Sequence, residues 1–317
     1  MQDIQTTFDS EIGALNTVVV HRPGREIENM TPASAAEVLY DDILNLELAT
    51  REHDQLTGVL RRVADVYEFE DLLRDTLADG RMKGLLVDEL VKLYSCEELA
   101  PELKEMDNAA LAAQLFQGTP MRKDSLEKFL SPLRHAIPPL PNAFFTRDAV
   151  MAVNDSVIIG SMAFKARFAE ALLLKAIFKY HDHIKSGGFY FDGTASTSQK
   201  ITIEGGDLLV LREDLVMIGY SERTTARGID TLMQAIAGKG GAQNFIVVEI
   251  PKSRATIHLD MIFTMADRDT CVVFSPLITG MHKCRAFHVH FQQQQVKRIV
   301  EYPGVLEALR TQGLDLK

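Results

Sequence analysis

The sequence predicts an α/β protein assembled from repeated units, and two observations carry that prediction. First, three times an apolar run, a short polar turn and a second apolar run follow one another: residues 150–153, 154–155 and 156–160, then 208–211, 212–214 and 215–219, then 263–266, 267–270 and 271–274. Each reads as a β-hairpin. From Asp155 to Glu213 is 58 positions and from Glu213 to Arg268 is 55, the near-constant period of stacked supersecondary units. Second, amphipathic helices follow the first two hairpins, over 163–180 and 224–237, and an apolar run at 244–250 follows the second helix. The repeating unit is therefore hairpin, helix, strand.

The remaining elements follow in chain order. Residues 15–20 predict a strand that ends at the turn His21-Arg22-Pro23-Gly24. Residues 43–62 predict a helix, with Leu44, Leu48, Leu56 and Leu60 spaced by multiples of four, and 63–68 a short strand. From 69 to 132 the segments 71–77, 81–94, 109–116 and 125–130 are short and amphipathic, without β-branched runs, and punctuated by Gly80 and Pro101. They predict a helical insert. The stretch Pro138-Pro139-Leu140-Pro141 is extended by the restriction before each proline. After the third hairpin, 286–291 predicts a strand, 305–312 a helix and 313–317 the start of another strand, so that by the repeat logic a further hairpin follows.

Bulk composition excludes several classes. A chain of 317 residues with 46% hydrophobic content buries a large core. A net charge of −10 argues against a nucleic-acid surface, which needs clustered Lys and Arg. No apolar stretch spans a bilayer, and the first residues lack a basic and an apolar leader region, so a cytoplasmic location is expected. Three cysteines, Cys96, Cys271 and Cys284, fit no disulfide or zinc spacing. The pairs His181/His183 and His288/His290 lack further ligands at metal-site spacing, so neither metal nor cofactor is expected.

Polar clusters stand just upstream of the hairpins, at 145–148, 203–207 and 257–260. In an extended strand His258 and Asp260 share one face. They suit a functional site, and equally a half-buried strand with a hydrated face. Gly205-Gly206 after Glu204 permit close backbone approach or a tight connection. Asp148 beside Arg147 is either a site carboxylate or half of a surface ion pair.

The runs Asn142-Ala143-Phe144-Phe145-Thr146-Arg147-Asp148, Ile203-Glu204-Gly205-Gly206-Asp207, Ser221-Glu222-Arg223-Thr224 and His258-Leu259-Asp260-Met261-Ile262-Phe263-Thr264 resemble successive signature blocks of the arginine deiminase family. The His21–Gly24 turn, Asp41-Asp42-Ile43 and Glu52-His53-Asp54 resemble its N-terminal region. The resemblance implies a pentein α/β propeller of ββαβ modules, about four of them here: 1–68 as a first module, 69–132 as an inserted helical-bundle subdomain, and 133–317 as further modules. It implies hydrolysis of L-arginine to citrulline and ammonia through a cysteine-bound thiouronium. By motif, Asp148 and Asp260 grip the guanidinium, His258 acts as acid and base, and Glu204 supports it. Asn142, Arg167 and Arg223 hold the amino-acid end, and Phe145 lies against the substrate. Arg147 has no ligand role and is expected to be structural.

The family's nucleophilic cysteine lies in a Gly-rich C-terminal module, to which nothing in this chain corresponds. The expectation is therefore an enzyme of this class without its nucleophile in the chain, its open edge covered by a second copy or a partner. The alternative is a non-catalytic arginine-binding pseudoenzyme. The Arg167/Arg223 pair favours free arginine over decarboxylated relatives.

Overall fold

The computed structural model describes residues 3–30, 35, 38–195, 200–253 and 255–317, in two compact units. The predicted α/β class is what these residues form.

One unit comprises residues 1–4, 15–146 and 164–184. The strands Thr17–Val20 and Asp65–Glu68 pair in parallel, joined through the helix Leu46–Leu60. Asn45 caps that helix by accepting from the Leu48 amide at 2.9 Å. Helices Phe69–Thr76, Gly80–Tyr94, Ala100–Glu105, Asn108–Gln117 and Leu126–Leu130 then follow one another. Asp79 and Asp107 cap the second and fourth of these with their carboxylates. Leu72, Leu73, Leu86, Leu90, Leu111 and Leu115 recur at helical spacing and are buried. The helix Phe168–Tyr180, which the repeat pattern ties to the first hairpin, packs against Phe69–Thr76 and Gly80–Tyr94. It buries Ala169, Leu173, Leu174 and Ile177.

The other unit comprises Gln5–Ala14, Arg147–Ala163 and Lys185–Lys317. All three predicted hairpins are present. Val150–Val153 pairs with Ser156–Ile159, Leu208–Arg212 with Leu215–Tyr220, and Phe263–Asp267 with Thr270–Val273. In the first, Asn154 takes φ +51, a conformation that asparagine tolerates better than most residues. The helix Ala226–Gly238 is capped by Thr225, which accepts from Gly228 N at 3.1 Å, and buries Ile229, Leu232, Met233 and Ile236. It leads into Asn244–Glu249, which lies parallel to Leu215–Tyr220.

The fourth hairpin is one the sequence pattern did not disclose. Ala286–Gln292 pairs antiparallel with Asn244–Glu249, and Gln295–Tyr302 pairs antiparallel with Ala286–Gln292. The sheet order is thus Leu208–Arg212, Leu215–Tyr220, Asn244–Glu249, Ala286–Gln292, Gln295–Tyr302. Its tight turn is Gln293-Gln294 with φ +52 and +63, the left-handed pair a two-residue hairpin needs. Glutamine is no turn signal, so this hairpin was hidden. Residues 313–317 form no strand, although Cys271 N donates to Lys317 O at 3.0 Å and Lys317 N to Asp269 O at 2.8 Å.

Candidate functional site

Each polar cluster sits on a short helical turn that opens directly into a hairpin strand. Thr146–Ala149 precedes Val150, Gly205–Asp207 precedes Leu208, and Leu259–Met261 stands one residue before Phe263. This corrects the reading of His258 and Asp260 as alternating positions of one strand, since the backbone turns between them. His258 is buried at the entry of its turn and Asp260 is exposed within it.

Three of the expected residues meet. His258 Nε2 lies 3.0 Å from Glu204 Oε2, and His258 Nδ1 lies 3.9 Å from Asp148 Oδ1. Glu204 is fully buried; its second oxygen accepts from Ala163 N at 2.9 Å, and Arg223 Nη1 stands 3.6 Å from the first. Asp148 accepts from Gly206 N at 3.2 Å. Burial pushes the His258 pKa down, but the Glu204 hydrogen bond and the charges of Asp148, Asp207 and Glu204 overcome it and raise it to about 9. The ring is an imidazolium at neutral pH. Asp260 touches none of these groups through a described hydrogen bond. Although the residue is exposed overall, protein packed around its carboxyl partly desolvates it and pushes its pKa up, while His258 holds it back and Asp148 raises it again, which places it in the same field.

Glycines let these segments approach. A Cβ on Gly206 would stand 2.6 Å from the His258 ring, and one on Gly160 would stand 2.7 Å from the Asp148 carbonyl oxygen. A Cβ on Gly205 would overlap the Arg147 carbonyl, which is backbone and cannot swing aside. Gly205→Ala is therefore expected to destabilise this unit by ~1–3 kcal/mol and to shift the His258 ring resonances. An unchanged melting midpoint with native resonances would refute the close-packing argument.

Asn142, Phe145 and Arg167 belong to the other unit, where they adjoin one another. The buried Arg167 guanidinium pairs with Glu170 at 2.8 Å, donates to Phe145 O at 3.2 Å and lies 5.9 Å from the Phe145 ring centroid. Asn142 Nδ2 donates to Val38 O at 2.8 Å. Arg147 is engaged by side chains and backbone of its own unit. It pairs with Glu11 at 2.8 Å, donates to Leu208 O at 2.5 Å and lies 5.6 Å from the Phe8 ring centroid.

Asp207 ends the run Ile203–Asp207, and the sequence assigns it no role. It is fully buried, accepting from Ser221 Oγ at 2.6 Å and Leu259 N at 3.0 Å. The signal was an acid followed at once by four apolar residues, Leu208 to Leu211, an expensive place for an unpaired charge.

Asp148, Glu204 and His258 are the one set of metal-type donors found together among the described residues, all within 4.8 Å. They are close enough to hold a metal ion. In this structure both ring nitrogens instead face carboxylates, and the imidazolium supplies the positive charge. Neither His181/His183 nor His288/His290 joins such a set; His288 and His290 share the Asn244 side-chain oxygen at 3.1 and 2.9 Å.

The thiols are elsewhere in character. Cys284 is buried in an apolar cluster that Cys271 flanks, and Cys96 is buried in the other unit. Burial pushes Cys96 and Cys284 up to about 11 and raises Cys271, the reverse of an activated nucleophile.

Among solved structures, the chain is similar to the DDAH of Pseudomonas aeruginosa, complexed with citrulline. The identity is 13% over 82% of this chain and 70% of that one, with a TM-score of 0.46. It is also similar to an amidinotransferase of Microseira wollei, at 16% over 84% and 70% with a TM-score of 0.44. A third is the inosamine-phosphate amidinotransferase of Streptomyces griseus, at 14% over 86% and 70% with a TM-score of 0.41. No described helix is long and apolar enough to cross a membrane. The arginine deiminase family model matches residues 36–311, nearly the whole chain, and the chain belongs to the arginine deiminase family.

Proposed function

We propose that the Asp148–Glu204–His258 cluster, with Asp260, binds the guanidinium of free L-arginine and handles protons in an arginine deiminase-type hydrolysis to citrulline and ammonia. The observation that carries this reading is the convergence of those three buried side chains within 4.8 Å. Asp148 and Glu204 face His258, Glu204 also faces Arg223, and Asp260 lies within the field of His258; a planar cation with paired N–H groups suits such a set of carboxylates. His258, held as an imidazolium, is poised to protonate a leaving amine. The hairpin-and-turn units are read as pentein modules of a propeller, with 1–68, 69–132 and 133–317 as first module, helical insert and further modules. By motif alone, Asn142, Arg167 and Arg223 are assigned to the amino-acid end of the substrate and Phe145 to a contact against it.

Attack on the guanidinium carbon needs an activated nucleophile, and the three thiols of these residues are desolvated in the wrong sense. That favours a second reading in which these residues bind arginine without turning it over.

Calorimetry with arginine and citrulline tests the shared part. Arginine is expected to bind more tightly than citrulline, and Asp260→Ala to weaken arginine by about 10- to 100-fold, the worth of one hydrogen bond to a charged group. Equal affinity for the two ligands would sink the guanidinium assignment. A citrulline assay with Cys271→Ser and Cys284→Ser separates the readings: turnover abolished by either substitution would make that thiol the nucleophile.

A further inference from the structure

We propose that Asp207 is a positioning residue of this cluster: its carboxylate fixes the turn that follows His258 and holds the imidazole, charged, between Glu204 and Asp148. The proposal rests on the guanidinium-binding reading for its functional consequence, but the geometry is independent of any ligand.

Asp207 closes the helical turn Gly205–Asp207 and is fully buried. Its Oδ1 accepts from the backbone N–H of Leu259, the residue next to His258 and the first of the turn carrying Asp260. Its Oδ2 accepts from Ser221 Oγ, which in turn accepts from the N–H groups of Arg223 at 2.9 Å and Thr224 at 3.2 Å. Thr224 Oγ1 accepts from Glu204 N at 3.2 Å. One carboxylate thus ties together the three segments that present Glu204, Arg223, and His258 with Asp260.

The chain clears space for this arrangement. Gly219, in the strand Leu215–Tyr220, lies where any Cβ would overlap the Asp207 carboxylate, and Gly206 lies where one would press on the His258 ring. Burial drives Asp207 up to about 7, while the His258 charge and the hydrogen bonds from Ser221, Thr224 and Leu259 hold it down. His258 is faced by Glu204 at Nε2 and by Asp148 at Nδ1, with Asp207 alongside. Arg223 stands beyond Glu204, and Asp260 lies within the field of His258. A merely architectural acceptor would be replaced by asparagine without effect on this charge balance.

The test is an NMR titration of the His258 ring in ligand-free wild type and Asp207→Asn, with melting midpoints recorded for both. In Asp207→Asn the His258 midpoint is expected to fall by about one pH unit or more with the fold retained, and arginine affinity by about tenfold. Ser221→Ala, which keeps the charge but removes one tether, is expected to leave the His258 midpoint in place. Should Asp207→Asn not fold, the wild-type Leu259 amide resonance decides: an inflection near pH 7, echoed by the His258 ring, supports the coupling. An unshifted His258 midpoint in Asp207→Asn, or a Leu259 amide indifferent to pH, would overturn the proposal. Loss of arginine binding in the wild type would overturn only the functional reading.

Discussion

Replacing Glu204 with alanine is expected to destabilise its unit by about 3–5 kcal/mol, the scale of breaking a buried ion pair by removing one partner. Glu204 is fully buried and accepts from His258, while the Ala163 amide loses its acceptor and Arg223 a neighbouring charge. The pH dependence changes with it. The His258 pKa is raised from 6.5 to about 9, so its stabilisation is fully present below pH 6.5 and lost as pH rises through about 9. At 1.36 kcal/mol per unit, that window is worth at most about 3 kcal/mol. In Glu204→Ala, burial of the ring is no longer opposed by its principal partner, the His258 midpoint falls toward the ordinary value, and the slope flattens. Urea unfolding followed by hydrogen exchange at Leu215–Tyr220, between pH 6 and 9, reads both effects. A variant with the wild-type slope would show that Glu204 does not hold the charge on His258.

The second large effect is expected in the other unit, from His21→Ala. His21 is buried between Glu26, 3.3 Å from Nε2, and Glu68, 3.1 Å from Nδ1, and stacks on Phe116 with centroids 4.4 Å apart. Burial lowers its pKa, but the two glutamates win and raise it to about 9. Alanine leaves Glu26, itself 2% exposed, with a buried charge and removes the ring from against Phe116 and Phe69. A loss of about 3–5 kcal/mol follows, read as early exchange of the Phe69–Thr76 and Asn108–Gln117 amides. His21→Gln, which still donates a hydrogen bond, recovers part of the loss. Wild-type protection in His21→Ala would mean the two glutamates find other partners at little cost.

Legibility in the sequence followed physical lines. The three hairpins were readable because Asn154-Asp155, Glu213-Asp214 and Asp267–Thr270 are polar breaks in apolar runs. The fourth was not, because Gln293-Gln294 takes a positive φ that its residue type does not announce. Glu204 and His258 were legible as a pair through motif order, but strand alternation misdescribed how His258 and Asp260 are presented, since alternation assumes an extended chain. The His21 clamp was invisible: its partners come from 5 and 47 positions away, and only the fold brings them together. Asp207 went unread because a buried acid's role depends on which backbone N–H groups reach it.

The short helical turns ahead of the hairpins separate chemistry from architecture. A residue at Asp148, Glu204 or Asp260 belongs to no strand ladder, so exchanging it leaves the register of the hairpin behind it intact. Divergence at these turns therefore leaves strand pairing in place even where it costs the buried cluster stability, whereas the glycines that let the turns crowd together admit almost no drift. Lineages descending from such a scaffold would be expected to vary their reactive groups without losing strand pairing while keeping Gly160, Gly205, Gly206 and Gly219, so that the ancestry of the site is written in its glycines and its present use in the acids beside them.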